Sequence, residues 1–232
     1  MRRHFLSFVV VVLSLFVSSQ RAQALTLDDI TFYVGSGSNR AGMVIDWADG
    51  RDPLIWGYRW DGAATGEDMF RDIAMADPRL FAKISDQFAF GDFIFGIGYD
   101  RDDDGFGISD ATVFTDGLFV GPATDGATAT DADDSYVEGF NTGFFGYFVA
   151  SGSPYDGGSW GFAPVGISDR VLSDGDFDGF AFAPGFNGGE PALPVPATGG
   201  SAGGNNGVPE PTTFMFGCVA IAVVGMRRKR AI

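Results

Sequence analysis

The chain of 232 residues contains a single histidine, His4, and a single cysteine, Cys218, and each lies near one of its two ends. The long segment from 25 to 207 therefore has neither an imidazole nor a thiol. This absence excludes a Ser-His-Asp triad, a cysteine nucleophile, a zinc site with imidazole or thiolate ligands, and an internal disulfide. Burial and hydrogen bonds must stabilise this segment, with a hard cation as one further candidate.

Basic residues are also scarce. Residues 25 to 207 include eight Lys and Arg against 29 Asp and Glu, which gives a net charge of −21. Such a surface repels nucleic acid and anionic lipid, so we expect no nucleic-acid partner. Of the 29 acids 26 are Asp, the short carboxylate that favours turns and calcium ligation. Aromatic residues make up 15% of the chain, which predicts a packed core and not a disordered acidic tail.

The N-terminus has the pattern of a secretory signal peptide. Arg2 and Arg3 precede an apolar run from 5 to 17, and Ala22-Gln23-Ala24 fits the small-x-small pattern of signal peptidase. Residues 1–24 are therefore predicted to form a signal helix with its cleavage site, and the mature chain begins at Leu25. The Arg2-Arg3 pair also resembles the core of a twin-arginine signal. The short charged region and the very hydrophobic run favour the Sec route, and the twin-arginine route stays as the alternative.

The C-terminus carries an apolar run from 214 to 226 followed by a basic cluster. The run alone spans about 20 Å as a helix, which is short of a hydrocarbon core of about 30 Å. With the residues just before it and the snorkelling stems of the basic cluster, it predicts a short transmembrane helix over 212–226. A basic cluster stays on the cytoplasmic side, so everything before Val208 is predicted to lie outside. The cluster consists of Arg227, Arg228, Lys229 and Arg230.

A proline-rich motif precedes that run and consists of Pro209, Glu210 and Pro211. The motif, the run and the basic cluster, in this order, resemble the PEP-CTERM sorting signal over Val208–Ile232. The resemblance implies an exosortase that cuts near the motif, in a Gram-negative bacterium that makes exopolysaccharide. It also implies a transient inner-membrane intermediate and a final place at the cell surface or in the extracellular matrix. A plain tail anchor is the alternative, but it leaves the Pro-Glu-Pro motif unexplained.

Between the two ends, the pattern predicts one β-rich domain over 25–183 and a linker over 184–207 that is rich in Pro, Gly and Asn. Period-two alternation of apolar residues dominates the domain and is typical of strands. Thr65 begins a capping signal, so a helix is predicted to Ala76, and a second short helical turn is expected from 78 to 84. The predicted fold class is α+β, mainly antiparallel sheet with one or two short helices.

An acidic loop follows one of these strands and matches the start of a calcium-binding loop. Asp100, Asp102 and Asp104 take positions 1, 3 and 5, and a glycine takes position 6. The backbone carbonyl of Phe106 would add an oxygen, and Asp110 could replace the glutamate that is missing at position 12. These five residues are the candidate calcium ligands. The alternative is a loop whose Asp and Gly residues only make turns.

A second loop repeats the spacing with Asp174, Asp176 and Asp178 and is a weaker calcium candidate. Its alternative is a tight turn before a strand that presents Asp176 and Asp178 to solvent. A third acidic group is expected to be a solvated loop, or less readily to join one of the two sites. It consists of Asp131, Asp133, Asp134 and Glu138.

Trp56, Tyr58 and Trp60 lie on one face of a predicted strand. An outward row would form a stacking platform for glycan, whereas an inward row would belong to the core. The usual burial of large aromatics favours the core.

The domain also resembles, loosely, the transcobalamin C-terminal-like domain. The residues that carry this resemblance are the helix at 65–76, Trp160, Gly166 and the segment 171–176 before an aromatic strand. It implies a small α+β module that captures a small ligand.

From these features we expect a non-enzymatic, exported protein whose acidic domain binds calcium or exopolysaccharide. Two alternatives remain open at this point. One is an extracellular glycan hydrolase that uses a pair of carboxylates, and the other is a small-ligand module of the transcobalamin type.

Overall fold

A computed structural model describes residues 24–89 and 91–199. Over these residues the fold is mainly β with one α-helix, which confirms the predicted class. The predicted signal segment up to residue 23, the membrane helix over 212–226 and the sorting motif lie outside the described residues. Within 24–89 and 91–199 no helix has the length and hydropathy to cross a membrane. The elements are β1 Tyr33–Gly35, β2 Asn39–Asp46, β3 Leu54–Trp60, α1 Gly66–Ala76, β4 Leu80–Ser85, β5 Phe93–Tyr99, β6 Leu118–Val120, β7 Ser135–Glu138, β8 Gly143–Ser151, β9 Gly161–Phe162, β10 Asp176–Pro184 and β11 Val195–Pro196, with a 3₁₀ turn at Leu27–Asp29.

The strands form two mixed sheets. The larger has the order β1-β3-β2-β10-β8-β9, with β11 also paired to β3, and the smaller has the order β6-β4-β5-β7. The pairings β2–β3, β8–β10, β8–β9, β4–β5 and β5–β7 are antiparallel. The pairings β1–β3, β2–β10, β3–β11 and β4–β6 are parallel. Parallel partners lie far apart in the chain or at short edges, so no hairpin pattern in the sequence could predict them.

Helix α1 begins where the sequence predicts it. Thr65 caps the helix and accepts from the backbone N–H of Asp68, whose side chain in turn accepts from the N–H of Thr65. This reciprocal capping box satisfies two backbone donors that a helix start otherwise leaves free. Phe70 is fully buried and packs edge-on against Phe180 of β10 at 5.2 Å between ring centroids. The helix is thereby fixed on the larger sheet.

The second predicted helix, from 78 to 84, is wrong, because this segment forms strand β4. Leu80, Ala82 and Ile84 alternate along β4 and are all buried in the core that lies beneath α1. Pairing with β5 on one side and β6 on the other satisfies the backbone of this segment. Period-two burial between two neighbouring strands therefore outweighs the local preference that Pro78 gives for a helix start.

The row formed by Trp56, Tyr58 and Trp60 points inward, so these residues do not form a glycan-stacking platform. Their exposed fractions are 0, 5 and 5%. The indole Nε1–H of Trp56 donates to Oδ2 of buried Asp77 at 2.9 Å, and the Tyr58 hydroxyl donates to Asp72 at 2.8 Å. The expectation that large aromatics are buried is correct at this row.

The predicted linker begins at residue 184, and its residues up to Thr198 pack on the domain. Val195 donates its N–H to the carbonyl of Pro53, and Ala197 donates to that of Ile55, each at 2.9 Å. Ala197 is buried, and Arg79 donates to the carbonyl of Thr198. An extended, proline-rich stretch has the backbone shape of an edge strand, which lets it add to β3. The described part of the predicted linker therefore contacts the domain through β11 and Thr198, and residues 200–207 lie outside the described residues.

Trp56→Phe should lower the free energy of unfolding by about 2–3 kcal/mol, because it opens a cavity and leaves Asp77 without its indole donor. Denaturant unfolding measures this loss. Trp60→Phe is the matched control, since it removes similar volume from the same strand face. Equal losses in the two variants would contradict a specific role for the Trp56–Asp77 bond.

Candidate metal centre

Two loops at one end of the smaller sheet bring three carboxylates together. Asp100 and Asp102 follow β5, and Asp134 directly precedes β7. Tyr99 and Ser135 are partners in the antiparallel β5–β7 pairing, so the residue after one strand lies beside the residue before the other. One oxygen from each of the three Asp side chains lies within 4.8 Å of the other two. Oxygens bound to one calcium ion at 2.3–2.6 Å can be at most about 5 Å apart, so the spacing fits.

Asp100 organises the first loop. Its Oδ1 accepts from the N–H of Asp103 at 2.7 Å, and its Oδ2 accepts from the N–H of Gly105 at 3.0 Å. Both donors have positive φ, +64° at Asp103 and +123° at Gly105, and the second value strongly favours glycine. Asp100 is buried, whereas Asp102 is exposed and opens the group to solvent. The loop therefore has one fixed and one accessible carboxylate.

Asp134 is the residue that most needs a further partner. It is 4% exposed, its Oδ1 accepts from the N–H of Arg101 at 3.2 Å, and its buried Oδ2 accepts no hydrogen bond within the described residues. Burial raises the pKa of its carboxyl to about 6, against the lowering effect of the Arg101 amide, and the charges of Asp100 and Asp102 add to the rise. A buried carboxylate oxygen without a donor is costly. A cation would satisfy it.

Arg101 does not neutralise the three carboxylates, although it lies next to Asp100 in the chain. Its guanidinium Nε donates to the Ser135 hydroxyl at 2.7 Å and its Nη2 to the carbonyl of Asp52 at 3.2 Å. The guanidinium also lies over the Trp47 ring, 5.1 Å from the ring centroid. The negative charge of the group is thus left without an ion pair to Arg101.

Two of the other predicted ligands of this loop, Asp104 and Asp110, stand outside this group of three. Asp104 is exposed and stands outside the group, and the negative charge of Asp102 raises the pKa of its carboxyl. The ring of Phe106 stacks on Phe81 at 4.2 Å, which anchors the loop. Asp110 pairs with the Lys83 ammonium at 2.6 Å. Sequence spacing therefore finds Asp100 and Asp102, whereas Asp104 lies near Asp102 but outside the group of three, and Asp110 pairs with Lys83.

The sequence predicts Asp134 as one acid of a solvated loop, and only less readily as part of a metal site. The register of β5 against β7 brings Asp134 to Asp100, and no local sequence pattern contains this register. Asp131, which belongs to the same acidic group, instead accepts from the N–H of Asp133 at 2.8 Å. The third carboxylate therefore comes from the loop before β7 and not from the motif after β5.

In the second, weaker calcium candidate, the charged partner of Asp176 and Asp178 is the guanidinium of Arg170. Asp176 and Asp178 are buried on β10, and Arg170 pairs with them at 2.8 Å and 3.3 Å. Asp174 lies apart and accepts from the backbone N–H of Arg40 at 2.8 Å. The alternative that places Asp176 and Asp178 on the solvent face is wrong, because both point into the domain. Within the described residues these three acids do not converge as a metal-binding group.

A separate apolar groove lies between the edge of β5 and strands β8 and β10. Its volume is about 200 Å³, and its lining includes Phe93, Phe145, Phe162 and Ile167. Asp92 is its only carboxylate, and Arg71 of α1 binds it. The groove is smaller than the roughly 300–1,000 Å³ of common small-molecule sites.

The buried carboxyl of Asp178 predicts a pH effect on stability. Burial raises its pKa to about 6, against the lowering effects of the Tyr147 hydroxyl and Arg170. The folded state keeps this proton at a pH where the unfolded state has released it, so the contribution of Asp178 to stability falls as pH rises from about 4 to 6.

We expect Asp178→Asn to remove that fall, which is on the order of 2 kcal/mol. Denaturant unfolding at several pH values measures the slope in wild type and variant. Asp169→Asn, at an exposed position, is the control and should keep the wild-type slope. An unchanged slope in Asp178→Asn would disprove the assignment.

No protein-family model matches this chain, and no curated protein and no solved structure gives a significant match.

Proposed function

We propose that this chain is an exported, non-enzymatic protein of the cell surface or extracellular matrix, and that its acidic β domain binds calcium. The unpartnered, buried Oδ2 of Asp134 beside Asp100 and Asp102 is the observation that carries the calcium part. Calcium prefers carboxylate and carbonyl oxygens, which suits a domain without imidazole or thiol.

In this proposal the ion joins the loop after β5 to the loop before β7. Asp100, Asp102 and Asp134 supply three ligands, and backbone carbonyls and water fill the remaining positions. Three carboxylates on a site open at Asp102 suit a dissociation constant of about 10⁻⁴–10⁻³ M, as in extracellular calcium modules. The bound ion would offset the mutual repulsion of the carboxylates and stabilise this end of the sheet.

The export part of the proposal is supported by the two terminal segments of the sequence. Signal peptidase would act after Ala24, and an exosortase would act near Pro209, Glu210 and Pro211 while the transmembrane helix over 212–226 holds the chain in the inner membrane. Exopolysaccharide is the proposed final partner. Since the Trp56 row is buried, contact with an anionic polysaccharide would run through a cation at exposed Asp102.

The apolar groove supports a second candidate, the small-ligand module implied by the transcobalamin resemblance. Its aromatic lining and single, arginine-bound carboxylate suit a small apolar molecule. Because the groove is smaller than common small-molecule sites, we rank small-ligand binding second to calcium binding.

Calcium should raise the melting temperature of the purified protein relative to chelator. At a concentration about 100 times the dissociation constant the gain is about 2.7 kcal/mol, or about 5–10 °C. Asp134→Asn should remove this rise, because it takes away the buried ligand charge. Asp104→Asn is the matched control from the same loop and should keep the rise. Superimposable curves with calcium and with chelator, or equal effects of the two variants, would contradict the proposal.

Alanine replacement of Pro209, Glu210 and Pro211 should leave export intact and block release from the inner membrane. Fractionation with an antibody against the domain measures where the chain accumulates. The control replaces Gly203, Gly204 and Asn205 by alanine and should sort as the wild type does. Intact wild-type chain in the cytosol, with both ends uncut, would contradict the export proposal.

A further inference from the structure

Lys83 stands out among the cations of the domain. It is the only lysine between residues 25 and 207, where the other seven cations are arginines, and it is 1% exposed. Its Nζ lies 2.6 Å from Oδ2 of Asp110 and 2.8 Å from Oε2 of Glu138. Arginine is the better residue for a purely structural buried ion pair, because its planar guanidinium binds carboxylates in two places. An amine differs in that it becomes a nucleophile when it loses a proton.

The sheet holds these groups in a row. Lys83 of β4 is the partner of Gly96 on β5, and Gly96 is the partner of Glu138 on β7. A Cβ at position 96 would lie 2.8 Å from the Tyr136 hydroxyl, 3.2 Å from Cβ of Glu138 and 3.3 Å from Cβ of Lys83. The missing side chain of Gly96 therefore leaves room for the lysine to reach across one strand to the glutamate.

The two carboxylates have different surroundings. Glu138 is enclosed: its side chain is 1% exposed, Tyr136 donates to its Oε2 at 2.5 Å, and the N–H of Ala127 donates to its Oε1 at 2.9 Å. Asp110 borders solvent, with its side chain 38% exposed and its Oδ1 fixed by the N–H of Thr112 at 2.9 Å. Glu138 is thus placed to carry a proton beside the amine, whereas Asp110 has a route by which water can leave.

We propose that Lys83 and Asp110 join in an intramolecular amide bond and that Glu138 is the catalytic proton carrier. Glu138 takes a proton from the Lys83 ammonium, and the freed Nζ attacks Cγ of Asp110. The new C–N bond forms, Glu138 returns its proton to the departing Asp110 oxygen and then passes that oxygen a second proton from the attacking nitrogen, and the C–O bond breaks with release of water. An ammonium and a carboxylate become an amide and one water, so the step needs no oxidant, metal or co-reactant. Fixed neighbours supply the proximity that makes such a step fast.

The product removes a buried positive charge, which is costly to keep in a protein interior. The cross-link spans 27 residues and ties β4 to the loop that covers β5 and β7. In a domain that has no cysteine between 25 and 207, this bond takes the place that a disulfide has in other exported proteins. Unlike a disulfide, an amide is not opened by reductants.

The test is peptide mass analysis of the full chain after denaturation and digestion with trypsin. An acylated Lys83 is not cleaved, so Leu80–Arg101 should remain whole and be joined to Asp102–Arg170, at the sum of the two peptide masses less one water. Separate peptides with cleavage after Lys83 would overturn the proposal. This readout needs no variant, so it does not depend on how well any substitution folds.

Four variants assign the roles. Asp110→Asn should give the same product mass with loss of ammonia in place of water, whereas Asp110→Ala and Lys83→Arg should give none. Glu138→Gln should lower the linked fraction at least tenfold at equal times after purification, with an unchanged circular dichroism spectrum. A link that persists in Asp110→Ala would show that Glu138 is the acyl partner and would overturn the assignment. A wild-type extent of reaction in Glu138→Gln would overturn its catalytic role.

Discussion

The antiparallel pairing of β5 with β7 is the constraint on which the chemistry of this domain depends. Its register places Tyr99 beside Ser135, which brings Asp134 to Asp100, and it places Gly96 beside Glu138, which brings a carboxylate within reach of Lys83. The two sites are thus consequences of one strand pairing. A slip of β7 by one residue would turn Glu138 to the opposite face and move Asp134 along β5, so the same register holds both groups together.

Most of the few cations in this acid-rich domain form ion pairs with acidic side chains. Arg170 lies between buried Asp176 and Asp178, Arg71 binds partly buried Asp92, and Lys83 lies between two carboxylates, so each of these acids has a cationic partner. Asp134 differs because Arg101, from whose backbone N–H it accepts, directs its guanidinium to Ser135 and over Trp47, and Arg51 reaches only its backbone carbonyl. A buried charge that lacks a partner in an otherwise well-paired interior is a stronger sign of a ligand than any count of acidic residues.

Local signals in the sequence predict local structure well. The Thr65 capping box gives helix α1, and the period-two row of Trp56, Tyr58 and Trp60 gives β3 with these side chains inward. Features that depend on distant pairing could not be predicted. A lone lysine in a strand is usually solvated, yet Lys83 is buried because Gly96 and Glu138 arrive from two other strands. Asp178 points inward for a similar reason, since Arg170 comes from a separate turn to meet it.

The parallel pairing of β2 with β10 also bears on how the chain reaches its fold. These strands are neighbours at the centre of the larger sheet, although β2 ends at Asp46 and β10 begins at Asp176. The pairing of β2 with β10 cannot form until almost the whole domain has been synthesised. Pairing between strands so far apart in the chain gives a high contact order and slow folding. The larger sheet, and with it the core beneath α1, is therefore completed late in folding, only after β10 has joined β2.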